Sequence, residues 1–393
     1  MNNINVTKKS RSFQICTQCV MDTSDPDIYF DENGVCSHCK KNNEDMYQLQ
    51  NYTPQALEQL VEKIKAKGKG KEYDCVIGLS GGVDSSYVAY LAKKLGLRPL
   101  AVHLDNGWDS ELAVNNIEKI VKTFDIDLHT VVLDWEEFKK LQVAFLKASV
   151  PDAEIPTDHA ITASIFQTML ENNIPYFISG ANISTEGTMP AEWAQGHFDW
   201  RYIKSVDQLY GTGKLLTFPH MDIFERELYY HIVKGFRYVF ILNHVQYNKL
   251  DAIKTLENEF GWRSYGDKHF ESVYTRFFQG YILPNKFNID KRRAHFSRLI
   301  ISGQVKRSDA IEILKQPTYA PSMMEEDREY VVSKLGLTQD EFDEIMTLPI
   351  KSYHDYPNYS SYYKFLKKLR NISIQLRFYP FLKGIYSRLT QDV

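Results

Sequence analysis

The sequence lacks long apolar runs, a strong charge of either sign and a large number of cysteines. No stretch approaches the roughly 18–20 apolar residues of a membrane-spanning helix, and the polar start MNNINVTKKSRS lacks the apolar core of a signal peptide. We therefore expect a cytoplasmic protein without stable membrane insertion. The formal net charge of −3 over 393 residues argues against a strongly basic nucleic-acid binder.

The five cysteines are few, but four of them form two Cys-x2-Cys pairs. In a reducing cytoplasm such pairs are metal ligands more often than disulfides. Four thiolates suit a tetrahedral zinc ion and leave no open coordination position, which predicts a structural metal. An iron–sulfur cluster is the alternative. The predicted ligands are Cys16, Cys19, Cys36 and Cys39.

Short apolar runs alternate with helical stretches between residues 74 and 182. Strands are predicted at 74–79, 97–105, 128–134 and 175–182. Helices are predicted between them, at 85–96, 111–124, 135–149 and 161–173, with Asp158 and His159 at the beginning of the last one. Strands separated by helices of this length predict an α/β fold with a parallel sheet and helices on both faces.

The flanking regions differ from this alternating part. Residues 1–50 should form a zinc-ribbon-like module, and residues 51–200 the α/β domain. Residues 201–393 show no clear strand alternation and are predicted to be mostly helical, completing the active site and a partner-binding surface. The basic stretch 362–389 favours a packed terminal helix, with docking on a partner or a membrane surface as the alternative.

The segment Ser80-Gly81-Gly82-Val83-Asp84-Ser85-Ser86 lies between the first strand and a helix. Its glycines allow a tight turn and let backbone N–H groups approach an anion. The following helix adds the positive end of its dipole. The segment lacks the lysine of a Walker A motif and the spacing of a dinucleotide fingerprint. It therefore predicts a phosphate loop of another type, with a helix-capped glycine turn as the alternative.

SGGVDS resembles the pyrophosphate loop of the ATP pyrophosphatase (PP-loop) superfamily, and residues 101–110 and 178–187 resemble later segments of it. The resemblance implies an adenine nucleotide alpha hydrolase-like fold in which the substrate attacks the α-phosphate of ATP. Asp84 and Glu186 are then candidate Mg²⁺ ligands, because carboxylate oxygens suit Mg²⁺ on phosphates. The implied nucleotide-binding residues are Ser80, Gly81, Gly82, Val83, Asp84, Ser85, Ser86, His103, Asp105, Asn106, Gly180 and Asn182.

The Cys-rich segment, SGGVDSS and residues 265–307 together resemble the N-acetyl sugar amidotransferase family of bacterial surface-polysaccharide biosynthesis, over about residues 13–315. The resemblance implies conversion of a sugar acetamido group to an acetamidino group, in the biosynthesis of lipopolysaccharide (LPS) O-antigen, capsule or another surface glycan. ATP would adenylylate the amide oxygen, and ammonia would then displace AMP. The implied cofactors are ATP, Mg²⁺ and structural Zn²⁺.

The cysteines indicate whether this chain could release ammonia from glutamine by itself. Four belong to the pairs, Cys75 lies in a predicted strand, and residue 2 is Asn, so no cysteine remains for an obvious glutaminase. The resemblance likewise implies a separate glutaminase subunit, with a cyclase-like protein as a further candidate partner. Whether the substrate is a nucleotide sugar or a free nonulosonic acid stays open.

Candidates for the chemistry lie mainly after residue 265. Lys268 and His269, together with His159, are candidate catalytic residues, since histidine transfers protons near neutral pH. Cations in this region could neutralise a triphosphate or grip a diphosphate or carboxylate. A solvated helix face is the alternative. The candidate substrate-binding residues are Glu271, Arg276, Lys291 and Arg292.

Two other functions remain open from the sequence. A tRNA thiolase of the same superfamily would also combine a pyrophosphate loop with zinc ligands, but would need a basic RNA-binding face and usually a reactive cysteine. A non-catalytic ATP-binding scaffold with a zinc ribbon would bind ATP without releasing pyrophosphate.

Overall fold

The computed structural model describes residues 12–265 and 270–362. Five parallel strands form one sheet in the order β3-β2-β1-β4-β5. All carboxyl ends therefore lie at the same edge, where parallel sheets bind their ligands. The strands are β1 (Cys75–Gly78), β2 (Pro99–Asp105), β3 (Asp127–Val132), β4 (Tyr176–Ile178) and β5 (Arg237–Val239).

Helices cover both faces of this sheet, because successive strand residues point to opposite sides. Cys75 and Ile77 pack against one set of helices, whereas Val76 packs against α6 on the other side. The first face carries α2 (Pro54–Gly68), α3 (Val83–Lys94), α4 (Glu111–Phe124) and α8 (Lys249–Phe260). The opposite face carries α6 (Ile155–Glu171). The predicted parallel sheet with helices on both faces is confirmed.

Two elements differ from the predictions. Helix α6 begins at Ile155, ahead of the start predicted at Asp158 and His159, so that His159 lies in its second turn. Strand β5 lies in the region where no strand was predicted. It has three residues, which is too short to show an alternating pattern, and it forms through its pairing with β4.

The remaining helices come from both before and after β5, and they connect the helical C-terminal region to the N-terminal module. The third apolar core joins the cysteine cluster, α5, α7 and the later helices. These helices are α1 (Ser37–Gln48), α5 (Trp135–Ala148), α7 (Trp200–Tyr210), α9 (Val273–Phe277), α10 (Arg292–Ile301), α11 (Arg307–Leu314), α12 (Pro321–Lys334) and α13 (Gln339–Thr347).

Two stretches have wider helical turns, Glu225–Val233 and Phe278–Phe287. The second contains Pro284, which has no N–H to donate and disfavours a regular α-helix. Short 3₁₀ turns lie at Leu49–Asn51, Ala191–Trp193, Ile241–His244 and Tyr353–Asp355. The basic stretch 362–389 lies outside the described residues except for Tyr362. Within the described part of the chain, no helix is both long and apolar enough to cross a membrane.

Candidate active site

The loop from Ser80 to Ser86 connects β1 to α3 at the carboxyl edge of the sheet. The hydroxyls of Ser80 and Ser85 lie 3.1 Å apart, and Ser85 Oγ donates to the carbonyl oxygen of Gly82 at 3.1 Å. Gly81 has a φ of +81°, which favours glycine. The loop thus turns directly into the N-terminus of α3, whose free N–H groups and dipole suit an anion.

Two aromatic side chains hold this loop from a distant part of the chain. Trp262 Nε1 donates to the carbonyl oxygen of Gly81 at 3.0 Å, and the Tyr265 hydroxyl donates to the same oxygen at 2.5 Å. Asn116 Nδ2 in turn donates to the Tyr265 hydroxyl oxygen at 3.0 Å. These contacts fix the orientation of the Gly81 peptide. We name the pocket beside this loop the loop pocket.

The loop pocket has a volume of about 230 Å³ and is lined by three carboxylates, the predicted Mg²⁺ ligands Asp84 and Glu186 together with Glu271. The hydroxyl of Tyr247 donates to Asp84 Oδ1. Burial, followed by the charges of Asp84 and Glu186, raises the pKa of Tyr247 far above its ordinary value, so its hydroxyl stays a proton donor. Lys249 supplies a cation to the same wall. Two carboxylates facing one phosphate-sized space form a suitable donor set for Mg²⁺.

The structure brings some predicted nucleotide-binding residues to the loop pocket and places others behind it. The predicted nucleotide-binding residues that line the loop pocket are Ser80, Gly82, Val83, Asp84, Ser85 and Gly180. The side chains of Ser86 and Asn182 are buried, with Asn182 capping the turn at Thr185. Glu271, predicted to bind substrate, lies in the loop pocket instead.

His103, Asp105 and Asn106 lie at the end of β2, where their side chains support local structure. Burial opposes the charged ring of His103, but its ion pair with Asp109 at 3.2 Å outweighs this, and the pKa is raised. Asp105 Oδ1 accepts from the N–H of Gly107, and Asn106 Oδ1 accepts from that of Trp108. Neither Asp105 nor Asn106 is among the residues that line the loop pocket.

A second, larger pocket adjoins the loop pocket, and we call it the acceptor pocket. Its volume of about 580 Å³ lies within the roughly 300–1,000 Å³ range of small-molecule sites. Lys249 and Ile253 line both pockets, and the consecutive residues Thr185 and Glu186 line one each. Its wall is largely apolar and aromatic, with Leu250, Ile253, Phe270, Phe296, Leu299, Ile313 and Tyr319.

The predicted cations Arg276, Lys291 and Arg292 all line the acceptor pocket, but each is already ion-paired. Two nitrogens of Arg276 donate to the carboxylate of Asp327, at 2.6 and 2.7 Å. Arg292 pairs with Asp290 at 2.8 Å and also donates to the carbonyls of residues 316 and 317. Lys291 is buried and lies 3.5 Å from Glu154. The cations therefore contribute little net charge to the pocket.

Among the described residues, the predicted catalytic residue His159 is not brought to either pocket. His159 is buried, donates from Nδ1 to the carbonyl of His197 at 2.8 Å and accepts from the N–H of Met221 at Nε2. Burial lowers its pKa to about 4, so that the ring is neutral near pH 7. Lys268 and His269 lie outside the described residues.

The four paired cysteines meet in one buried cluster. The Sγ atoms of Cys16 and Cys39 are 3.7 Å apart, those of Cys19 and Cys36 are 3.6 Å apart, and all four lie within 4.8 Å of one another. A tetrahedron with zinc–sulfur distances of about 2.3 Å has sulfur–sulfur edges of about 3.8 Å, so the cluster fits zinc. His38 lies between Cys36 and Cys39 in the sequence, and its Nε2 lies 2.6 Å from the carboxylate of Asp25.

Arginines from the helical region bind the backbone of this module. Arg307 donates to the carbonyls of Cys16 and Cys19 at 2.7 and 2.8 Å. Arg293 donates to the carbonyl of Val20 at 3.0 Å. Since Arg293 belongs to α10, which also lines the acceptor pocket, the cysteine module supports that pocket's wall.

Sequence reasoning missed Lys249, Trp262 and Tyr265 as residues of the site. Trp262 and Tyr265 are 181 and 184 residues from Gly81 in the chain. A single sequence contains no signal for such a contact, although the aromatic-rich stretch around residue 262 lies just before the recognised segment 265–307.

Two protein-family models match the chain. The NAD synthase model matches residues 50–153, which include the phosphate loop and the first three strands. The model of the C-terminal domain of WbpG-like LPS biosynthesis proteins matches residues 271–370, which include most of the acceptor-pocket wall.

A curated relative and two solved structures are also similar. An uncharacterized protein of Methanocaldococcus jannaschii is 27% identical over 128 residues, 31% of this chain and 44% of that protein, so the chain spans under half of this relative. The NH3-dependent NAD synthetase of Campylobacter jejuni aligns at 14% identity over 72% of this chain and 96% of that one, with a TM-score of 0.30. The NMN synthetase of Francisella tularensis aligns at 14% identity over 76% and 98%, also with a TM-score of 0.30.

The two family matches fall on the two halves of the site, since one contains the phosphate loop and the other begins at Glu271 in the loop pocket. The chain is therefore similar to NAD synthases over the part that contains the phosphate loop and to the C-terminal domain of WbpG-like LPS biosynthesis proteins over its later helical part, in agreement with the resemblance indicated by its motifs.

Proposed function

We propose that the protein is an ATP-dependent amidotransferase that converts the acetamido group of a sugar to an acetamidino group, in the biosynthesis of O-antigen, capsule or another surface glycan. The observation that carries the proposal is the shared wall of the two pockets. Lys249 and Ile253 line both, so a nucleotide at the phosphate loop and an acceptor beside it would meet there. The WbpG-like domain supports the link to surface glycans.

The loop pocket suits the pyrophosphate part of ATP. Backbone N–H groups of the loop and the α3 N-terminus would bind the phosphates. Asp84 and Glu186 would hold Mg²⁺, which would neutralise charge on the departing pyrophosphate. Lys249 lies between the pockets and would stabilise the charge that develops at the α-phosphate.

The reaction would proceed in two displacements. The amide oxygen of the acceptor attacks the α-phosphorus, and pyrophosphate leaves with the electron pair of the broken bond. The nitrogen of ammonia then attacks the resulting imidate carbon, and AMP leaves carrying the former amide oxygen. Loss of a proton from nitrogen gives the acetamidine.

The acceptor pocket suits a sugar ring with acyl groups. Its apolar and aromatic wall can pack against ring carbons and methyl groups, and its paired arginines present fixed N–H donors to hydroxyls. A nucleotide sugar or a free nonulosonic acid would place its charged part toward the open side of the pocket, because the wall itself has little net charge.

Ammonia would come from a separate glutaminase, with a cyclase-like protein as a second candidate partner. All five cysteines of the chain are buried, four in the metal-fitting cluster and Cys75 in β1. A glutaminase needs a reactive nucleophile, and these thiols are not accessible to glutamine.

The test is an assay of pyrophosphate and AMP with a panel of N-acetylated sugars, Mg-ATP and ammonium, with mass spectrometry of the sugars. We expect AMP and pyrophosphate in equal amounts and a sugar product lighter by the difference between O and NH. Pyrophosphate release only with tRNA and a sulfur donor would identify a thiolase instead. ATP binding without pyrophosphate release under any acceptor would identify a scaffold.

A further inference from the structure

A small cavity lies beside the N-terminal end of α6, apart from the loop pocket and the acceptor pocket. Its volume is about 10 Å³, which is roughly the room needed by one guest of the size of water. Asp152, Glu192, Gln195 and Tyr202 contribute polar groups to its lining, and Ile155 of α6 contributes an apolar one. We call it the α6 cavity.

Two buried atoms of this lining have no hydrogen-bond partner among the described residues, namely the Tyr202 hydroxyl and Gln195 Oε1. Tyr202 is fully buried. Buried polar atoms are normally paired, so two unpaired ones at one cavity indicate a missing polar guest. The amide oxygen is an acceptor, as is the carboxylate of Asp152, and the hydroxyl oxygen can accept. The guest should therefore be a hydrogen-bond donor.

A chain of polar contacts leads from the α6 cavity to the acceptor pocket. The N–H of Glu154 donates to Asp152 Oδ1 at 3.3 Å. Glu154 Oε2 accepts from Gln279 Nε2 at 2.8 Å and lies 3.5 Å from Lys291 Nζ. Gln279 and Lys291 both line the acceptor pocket. The contacts thus connect a wall of the cavity with a wall of the acceptor pocket.

The groups along this chain carry an excess of negative charge. Asp152 and Glu154 provide two carboxyl groups, and Lys291, whose Nζ lies 3.5 Å from Glu154, is the cation beside them. Burial raises the pKa of Asp152 to about 6. A small bound cation would offset the excess charge.

We propose that the α6 cavity binds ammonium and that Asp152 and Glu154 guide ammonia toward the acceptor pocket. The proposal rests on the proposed function, in which ammonia is the second substrate. Ammonium is positively charged, is about as large as water and has only donors, as the cavity requires. One N–H proton passes to a carboxylate oxygen, the nitrogen keeps the electron pair, and neutral ammonia remains as the nucleophile.

The first test measures binding without any reaction. Nitrogen-15 ammonium is titrated into the full-length protein in the absence of ATP and sugar, and its NMR linewidth is followed. We expect broadening in the wild type and on the order of tenfold weaker binding in Asp152→Asn, which removes a charge-assisted hydrogen bond. Glu344→Gln, a change at an exposed carboxylate of α13, is the matched control and should bind as the wild type does.

The second test uses Tyr202→Phe, which keeps the ring packing and removes the unpaired hydroxyl. We expect unchanged thermal stability, weaker ammonium binding, and a raised KM for ammonium with an unchanged KM for ATP. Equal ammonium binding by wild type, Asp152→Asn and Tyr202→Phe would overturn the proposal, as would equally tight binding of potassium. Ammonium binding in the cavity without AMP formation for any sugar would support the cavity and refute the proposed function.

Discussion

At Gly81 the backbone turns with a φ of +81°, and a Cβ built there would lie 2.7 Å from the carbonyl oxygen of Ala113. We expect Gly81→Ala to move the phosphate loop, to destabilise the fold by about 1–3 kcal/mol through backbone strain and to weaken ATP binding strongly. Calorimetric titration of Mg-ATP and thermal unfolding measure the two effects.

Gly213 offers a matched control, because its φ is +68° and a Cβ there would meet nothing within 4 Å. Gly213→Ala should carry similar backbone strain but leave ATP binding intact. If both variants bind ATP as the wild type does, the shape of the loop does not depend on the close approach at Gly81.

Tyr247 positions a proposed Mg²⁺ ligand, since its hydroxyl donates to Asp84 Oδ1. Tyr247→Phe keeps the ring, which lies 5.6 Å from the ring of Tyr87, and removes only this hydrogen bond. A hydrogen bond to a charged group contributes about 1.5–3 kcal/mol, so the Mg²⁺ concentration needed for half-maximal pyrophosphate release should rise about tenfold or more. Tyr29→Phe, at an exposed ring, is the control, and equal Mg²⁺ dependence of both variants would refute this role.

Single residues of the site were predictable where they belong to a continuous motif. The run from Ser80 to Ser86 predicts a phosphate loop by itself, because glycines, hydroxyls and a helix start are adjacent in sequence. His159 shows the limit, since a histidine suited to proton transfer is indistinguishable in sequence from one that is buried. Its two nitrogens bond to backbone groups at His197 and Met221, which no local pattern reveals.

At the scale of elements, the first turn of α6 carries a carboxyl group whose pKa is raised. Desolvation by the surrounding protein and the charges of Asp152 and Glu154 raise the pKa of Asp158 from an ordinary 3.8 to about 8, with Lys291 acting in the opposite direction, although the residue keeps a solvent-exposed surface. Its protonated form is favoured in the folded state. Its contribution to stability is therefore complete below about pH 4 and is lost as the pH rises toward 8.

We expect Asp158→Asn to match the wild type in thermal stability near pH 4 and to become the more stable of the two as the pH rises to 8 and above. Thermal unfolding followed by circular dichroism across this range measures the difference. Asp125→Asn, at an exposed carboxyl at the end of α4, should show no such trend. A constant difference between Asp158→Asn and wild type at all pH values would contradict the raised pKa.

Helix α10 depends on the cysteine module for several of its contacts. Ser297 Oγ accepts from the N–H of Val20 at 3.2 Å, and Arg293 pairs with Asp22 at 3.0 Å. Loss of a bound zinc ion would leave four thiolates close together in one buried cluster without the charge that balances them. Removing the metal with a chelator should therefore speed amide hydrogen exchange in α10, measured by mass spectrometry.

Helix α4 provides the internal control, because it packs on the sheet in a different apolar core from the cysteine module. Its exchange should change little on chelation. Unchanged exchange in α10 after proven metal loss would show that the module and the acceptor-pocket wall are independent.

The elements of the sheet were predictable where they were long and periodic. The four predicted strands were found because apolar runs and amphipathic helices alternate from β1 to β4. Strand β5 was not predicted, because three residues are too few to show an alternating pattern. Its structure depends on its pairing with β4. The early start of α6 was missed because Pro156 in its first turn resembles a break in sequence, although proline is well tolerated there.

At the scale of the whole molecule, the charges of the acceptor pocket differ from what the sequence suggested. The cations after residue 265 looked suited to phosphates, but Arg276 pairs with Asp327 and Lys291 with Glu154. These partners are 51 and 137 residues away along the chain, and only the folded chain brings them together. The pocket wall therefore suits a sugar ring better than a diphosphate.

The central claim is that the amide oxygen of an N-acetylated sugar attacks ATP in the space between the two pockets. The most direct measurement uses a sugar whose acetamido oxygen is oxygen-18, with Mg-ATP and ammonium, and mass spectrometry of the AMP formed. If the amide oxygen is adenylylated, the label appears in the phosphate of AMP and is absent from the sugar product. AMP without the label, with the labelled oxygen still in the sugar, would contradict adenylylation of the amide.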